Sequence, residues 1–279
     1  MTQSLDMTVL PALQAELASA TNQLLATAAS LSDADLAAPS LLPGWTRGHV
    51  LTHLARNADS YINLLTWAKT GVRTPQYPSY EARSAEIDAT AGRPAARLLA
   101  DAEDGAARFA AAVRDLPAHA WSAQVEGMRP PPHPAWYVLV RRLREVGVHH
   151  VDLAAGYGPA DWPEPFVRRE LHDLRRTWSP EHSTVSEIVL VERAPEGGET
   201  AEVWPGLGHG PAVTGTPRDM LAWLTGRSGG RALVCCPRGS RMRPVPGASV
   251  FQSRHRGCRC RPPLICPRRP RRTTHDLYR

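Results

Sequence analysis

The sequence predicts an α+β fold, with an N-terminal antiparallel four-helix bundle over residues 8–157 and a smaller C-terminal α/β domain over residues 158–230. Three observations carry that expectation. Residues 8–157 hold several long stretches in which apolar side chains recur at three-, four- and seven-residue intervals, the period of an amphipathic helix. The connections between those stretches are short, which favours antiparallel neighbours. After Gly156 the period shortens, and residues 185–192, 201–204 and 211–214 read as strands joined by glycine-containing turns.

Residues 8–31 form the first expected helix, with Leu10, Leu13, Leu17, Leu24, Ala28 and Leu31 on its stripe and Pro11 tolerated in its first turn. The Ser-Asp-Ala-Asp of 32–35 opens a short helical turn, and residues 39–45 make the loop into a second long helix over 46–69. Thr46 is its expected N-cap, and Gly71 lies just past its end. A Tyr- and Pro-bearing loop then leads to a short helix over 80–91 and a long alanine-rich one over 94–116, closed by Pro117. The run Arg129-Pro130-Pro131-Pro132-His133-Pro134 forbids regular structure, and Ala135 begins the fourth bundle helix. In the second domain Phe166, Val167, Leu171 and Leu174 mark one helix; a second starts at Thr216-Pro217 and stops at Gly226. There is no internal repeat, no glycine-rich phosphate loop and no nucleophile elbow.

With 42% hydrophobic residues in 279, the chain has enough apolar side chains for a buried core. The first thirty residues carry Asp6 and Glu16 without an uninterrupted apolar run, and no stretch approaches the roughly 20 apolar residues of a membrane span. A cytoplasmic protein with no membrane partner is the expectation. The net charge of +6 conceals a division. Residues 231–279 contain 13 Arg against one acid, Asp276, for a local +12, so the first 230 residues carry −6. All five cysteines, Cys235, Cys236, Cys258, Cys260 and Cys266, fall in that last stretch.

Two stretches bear chemistry. On the fourth bundle helix Glu145 and His149 stand one turn apart and share a face, while His150 points elsewhere. On the second, His49, His53 and Asn57 follow at four-residue steps. A His from this row together with Glu145 and His149 would give three ligands and an open position, the pattern of a catalytic metal; the same spacing also describes a solvated surface pair.

The pattern Pro43-Gly44-Trp45-Thr46-x-x-x-Val50-x-x-His53-Leu54, followed some ninety residues later by Arg142-x-x-Glu145-x-x-x-His149-x-x-Asp152-Leu153, resembles the mycothiol-dependent maleylpyruvate isomerases of the DinB-like superfamily. The resemblance spans roughly residues 8–227 and fails beyond them. It implies a DinB-like four-helix bundle that binds a divalent metal through His53, Glu145 and His149, with a smaller α/β domain behind it. Two His and one Glu make zinc the expected ion. The family pattern uses only the second histidine of the His49/His53 pair, so His49 stays outside the ligand set.

The resemblance also implies the reaction: a thiolate adds to the cis double bond of maleylpyruvate, the resulting single bond rotates, and elimination gives fumarylpyruvate. With no cysteine before residue 235, the thiol must arrive as a cosubstrate, which in this family is mycothiol. A dianionic substrate calls for cationic contacts, and Arg83 and Arg142 are the candidates. Trp45 and Trp136 either wall the pocket or belong to the core. Asp152 either orients His149 or is a solvated helix-end acid.

The basic, Arg-, Pro- and Cys-rich end, 231–279, departs from the family. It is expected to be disordered and to arise either from a shifted reading frame or as a basic arm for nucleic acid. Two other functions compete: a DinB-like metal-dependent thiol transferase acting on another electrophile, and a non-enzymatic binding protein that uses the basic tail. The acidic first 230 residues disfavour nucleic-acid binding outside that tail.

Overall fold

The computed structural model describes residues 9–128, 130–194 and 196–236. The chain divides after Gly158 into two units. The fold class is the α+β arrangement expected from the sequence, with helices in the first unit and a mixed layer of sheet and helix in the second.

The first unit contains α1 (Val9–Ala29), α2 (Asp33–Ala37), α3 (Arg47–Thr70), α4 (Tyr80–Thr90), α5 (Ala95–Arg114) and α6 (Tyr137–Asp152). α1, α3, α5 and α6 make the bundle, with α3 packed on α5 and α6, and α1 packed on the same two. The leucine stripe of α1 is buried as its spacing requires. α3 begins at a capping box in which Thr46 Oγ1 accepts from His49 N and His49 Nδ1 accepts from Thr46 N. It ends at Gly71, whose φ of 73° is left-handed. Gly48 faces the carbonyl of Ala91 so closely that a Cβ would collide. That contact sets the end of α4 against the start of α3.

The segment before α6 corrects the expectation from the proline run. His133–Pro134 form a two-residue strand, β2, paired antiparallel with β1 (Gln124–Val125). The ladder continues as Ala135 N donates to Ala123 O and Trp136 N to Trp121 O, so α6 starts at Tyr137 and not at Ala135. Proline lacks a donor, but this short ribbon needs few from it.

The second unit contains α7 (Glu164–Arg176), β3 (Glu187–Arg193), β4 (Glu199–Trp204), β5 (Ala212–Gly215), α8 (Pro217–Leu224) and β6 (Val234–Cys236). The sheet order is β4-β3-β5-β6; β3 and β5 are parallel and the other pairs antiparallel. Ile188, Leu190 and Val213 bury one face of the sheet, and Met220, Leu221 and Trp223 are buried on α8, which packs on α7 and β3.

β6 corrects the expectation that the chain leaves its fold at residue 231. Val234 and Cys235 pair with Thr214 and Val213, adding an edge strand that a window dominated by arginine and proline had hidden. Residues 237–279, on which the disorder and nucleic-acid expectations rest, lie outside the described residues. Among the described residues no helix is long and apolar enough to cross a membrane.

Candidate metal centre

α3 and α6 pack with their functional faces together, and the three ligands expected from the family resemblance meet there. His53 Nε2 lies 2.9 Å from Glu145 Oε2, and His149 Nε2 lies 3.3 Å from the same oxygen. The ring centroids of the two imidazoles are 4.7 Å apart, edge to face. One donor atom from each residue falls within 4.8 Å of the other two, and all three side chains are buried. A tetrahedral ion with bonds of about 2.0–2.1 Å requires donor atoms about 3.3 Å apart. The donors present therefore fit a divalent cation in chemistry and spacing: two imidazole nitrogens and one carboxylate oxygen.

Neighbouring groups fix these three side chains. His149 Nδ1 is 2.8 Å from Asp152 Oδ2, and Asp152 is only 1% exposed, so it is not a solvated helix-end acid. Burial opposes charge on His149, but the hydrogen bonds to Asp152 and Glu145 outweigh it and raise its pKa. The same pair of imidazoles holds the Glu145 carboxyl well below the usual range despite burial. Burial dominates at His53, taking it down to about 4. Arg83, on α4, donates from NH2 to His53 Nδ1 at 2.9 Å. A neutral His53 accepting there carries its proton on Nε2, facing Glu145.

The remaining candidates are distributed around this cluster. Arg83 is buried, with its guanidinium 5.7 Å from the centre of the Tyr77 ring. Arg142 is buried one turn from Glu145 and donates from NH1 to Leu54 O at 2.9 Å and Asn57 Oδ1 at 2.7 Å, which ties α6 to α3. His49 serves the α3 cap. His150 turns to α1, 2.8 Å from Thr27 Oγ1, and stacks on Tyr157. The Trp45 ring centre lies 5.7 Å from that of His53, whereas Trp136 meets Tyr137 edge to face.

Sequence reasoning missed Tyr61, Gln76 and His133, which gather around the Arg141 guanidinium, and Arg141 itself. Arg141 NH1 is 3.0 Å from His133 Nε2, and its guanidinium lies 5.7 Å from the centre of the Tyr61 ring. Burial pushes the Tyr61 phenol up to about 12. The available signal was spacing: Arg141 is four residues before Glu145, and Tyr61 is eight after His53. In the second unit a cleft of about 330 Å³ is lined by Arg168, His172, Arg175, Glu192, Glu202 and Trp204 among others. Its arginines already pair with Glu164, Glu192 and Glu202.

Residues 17–154 match the family model described as the mycothiol maleylpyruvate isomerase N-terminal domain. Two solved structures resemble the chain, each with a TM-score of 0.72 and 28% identity over 81% of this chain and 92% of theirs. One is the crystal structure of the mycothiol-dependent maleylpyruvate isomerase, and the other is that of a histidine-to-alanine mutant of the enzyme. No curated protein matches the chain.

Proposed function

By its residues 17–154 the chain belongs to the mycothiol-dependent maleylpyruvate isomerase family, and from that premise we propose that it converts maleylpyruvate to fumarylpyruvate with mycothiol as thiol cosubstrate. The observation that carries the reading is the buried convergence of His53, Glu145 and His149. These three residues would hold the metal, and their donor set favours zinc. When bound, a divalent cation there supplies Lewis acidity that keeps a nearby thiol deprotonated at neutral pH.

The reaction balances without a redox partner. A C–S bond forms at one alkene carbon as the π pair moves onto the conjugated carbonyl. The former double bond rotates as a single bond. The pair then returns, the C–S bond breaks, and the thiolate leaves behind the trans alkene. The chain's own residues set the stage for these steps. Asp152 holds His149 in one tautomer, and Glu145 stays ionised between two imidazoles. Arg83 provides the buried cation for a substrate carboxylate, and Arg142 joins the two ligand-bearing helices through Leu54 and Asn57. No cysteine precedes Cys235, so the bundle supplies no thiol of its own. A cytoplasmic location is part of the same proposal.

The deciding test measures fumarylpyruvate formation with and without mycothiol, alongside elemental analysis of the purified protein. Turnover that needs both thiol and bound metal supports the reading. Full turnover in the absence of added thiol, or after metal removal, would end it.

A further inference from the structure

We propose that Arg141 determines specificity by binding one carboxylate of the dianionic substrate, complementing Arg83; the assignment rests on the isomerase reading above. Four residues before Glu145 on α6, Arg141 shares the ligand face about 6 Å along the helix axis. From α3, Tyr61 reaches the same place two turns beyond His53, and the Arg141 guanidinium sits 5.7 Å from its ring centre. The two helices that carry His53, Glu145 and His149 therefore also flank this half-buried cation.

The guanidinium occupies a built socket. His133 Nδ1 faces Pro134 O at 3.1 Å, which makes Nδ1 the donor and leaves Nε2 to accept from Arg141 NH1. Burial, reinforced by Arg141, takes His133 down to about 4, so it remains neutral. A Cβ at Gly127 would crowd Arg141 NH1 and Gln76 Oε1, the movable ends of both side chains, and would displace them from their present places. Gln76 is anchored in turn, donating to Ser60 Oγ at 3.2 Å and accepting from Met128 N at 3.1 Å.

What this socket lacks is an anion. Among the described residues neither Arg83 nor Arg141 has a carboxylate partner; their contacts are with His53 and Tyr77, and with His133 and Tyr61. Arg83 is buried and Arg141 half-buried. A cation partly withdrawn from water without a counter-charge is unfavourable, and an incoming carboxylate offsets that penalty. Arg142, the next residue, is turned about 100° around the helix and bonds to α3 instead. Helical phase thus assigns adjacent arginines to different tasks.

The test is calorimetric titration of metal-loaded protein with maleate, a dicarboxylate, and with crotonate, a monocarboxylate. Wild type is compared with Arg141→Gln, Arg141→Lys and Gly127→Ala. Maleate affinity should fall about ten- to a hundredfold in Arg141→Gln, as expected for a lost hydrogen bond between charged groups, and less in Arg141→Lys and in Gly127→Ala, which only displaces the guanidinium. Crotonate affinity should change only slightly, metal content should stay the same, and KM for maleylpyruvate should rise by the maleate factor with kcat nearly constant. Wild-type maleate affinity in a folded Arg141→Gln protein, or an equal loss for crotonate, overturns the proposal. If Arg141→Gln does not fold, wild-type maleate affinity in both other variants does so. Absence of maleylpyruvate turnover in the wild type defeats the isomerase reading instead, and the maleate comparison still decides Arg141.

Discussion

The bundle and the α/β unit bury different things. Beneath the surface of the bundle lie His53, Asn57, Arg83, Arg142, Glu145, His149 and Asp152. Among its described residues the α/β unit buries mainly apolar side chains, from Trp162 and Phe166 to Trp223, with Glu170 as the buried charged residue. Its other charges meet near the surface, as in Arg168–Glu192 and Arg175–Glu202. Burying polar and charged groups costs folding free energy unless partners compensate. The bundle therefore depends on mutual compensation within a buried polar cluster, whereas the α/β unit is organised by packing, and a ligand should matter to the first far more than to the second.

The sharpest way to break this contrast is to remove a ligand. His53→Ala and His149→Ala should each abolish stoichiometric metal binding, measured by elemental analysis, whereas His150→Ala should leave it intact. Metal removal comes next. Native-state hydrogen exchange should show α3 and α6 losing about 3–4 kcal/mol of protection, the linkage expected when metal is present at 100 to 1,000 times its dissociation constant. Strands β3 to β5 should be unchanged. Equal loss in both units would dissolve the distinction. Asp152→Asn should weaken metal binding about 10–100-fold while the melting temperature of the metal-free protein moves much less.

Acidity sharpens the same comparison. His149 has a raised folded pKa, so its contribution is fully present below the unfolded value of about 6.5 and is lost as pH rises through the folded value. His53 and His133 titrate at about 4 when folded. Between about 6.5 and 4 the unfolded chain takes up protons that the folded chain refuses, and stability falls as pH is lowered. Denaturant titrations of the metal-free protein should therefore peak near pH 6.5, and His149→Gln should flatten the alkaline limb. Smallest of all, Arg168→Ala in the α/β unit should cost less than about 1 kcal/mol, because its ion pairs are exposed.

The sequence made these features legible to different degrees. The α1 stripe of Leu10, Leu13, Leu17 and Leu24 was readable because burial and helical period coincide. Glu145 and His149 were readable because a four-residue step on a helix fixes their shared face. The link from Arg83 to His53 was not, since it depends on Gly48 admitting Ala91 and setting α4 against α3. Nor was the Arg141 socket, where a proline run concealed a two-residue ribbon and His133 arrives from outside any helix. In β6, three residues with strand propensity were averaged away by the basic stretch around them.

The row His49, His53, Asn57 and Tyr61 on α3 has one further consequence. Each four-residue step overshoots a full turn by about 40°, so the row winds through about 120° from end to end. Its members consequently face different neighbours: His49 the helix cap, His53 the carboxylate, Asn57 the guanidinium of Arg142, and Tyr61 that of Arg141. A histidine moved one turn along α3 would arrive about 6 Å down the axis and about 40° out of line. Angular register, more than side-chain type, selects which member of the row faces Glu145.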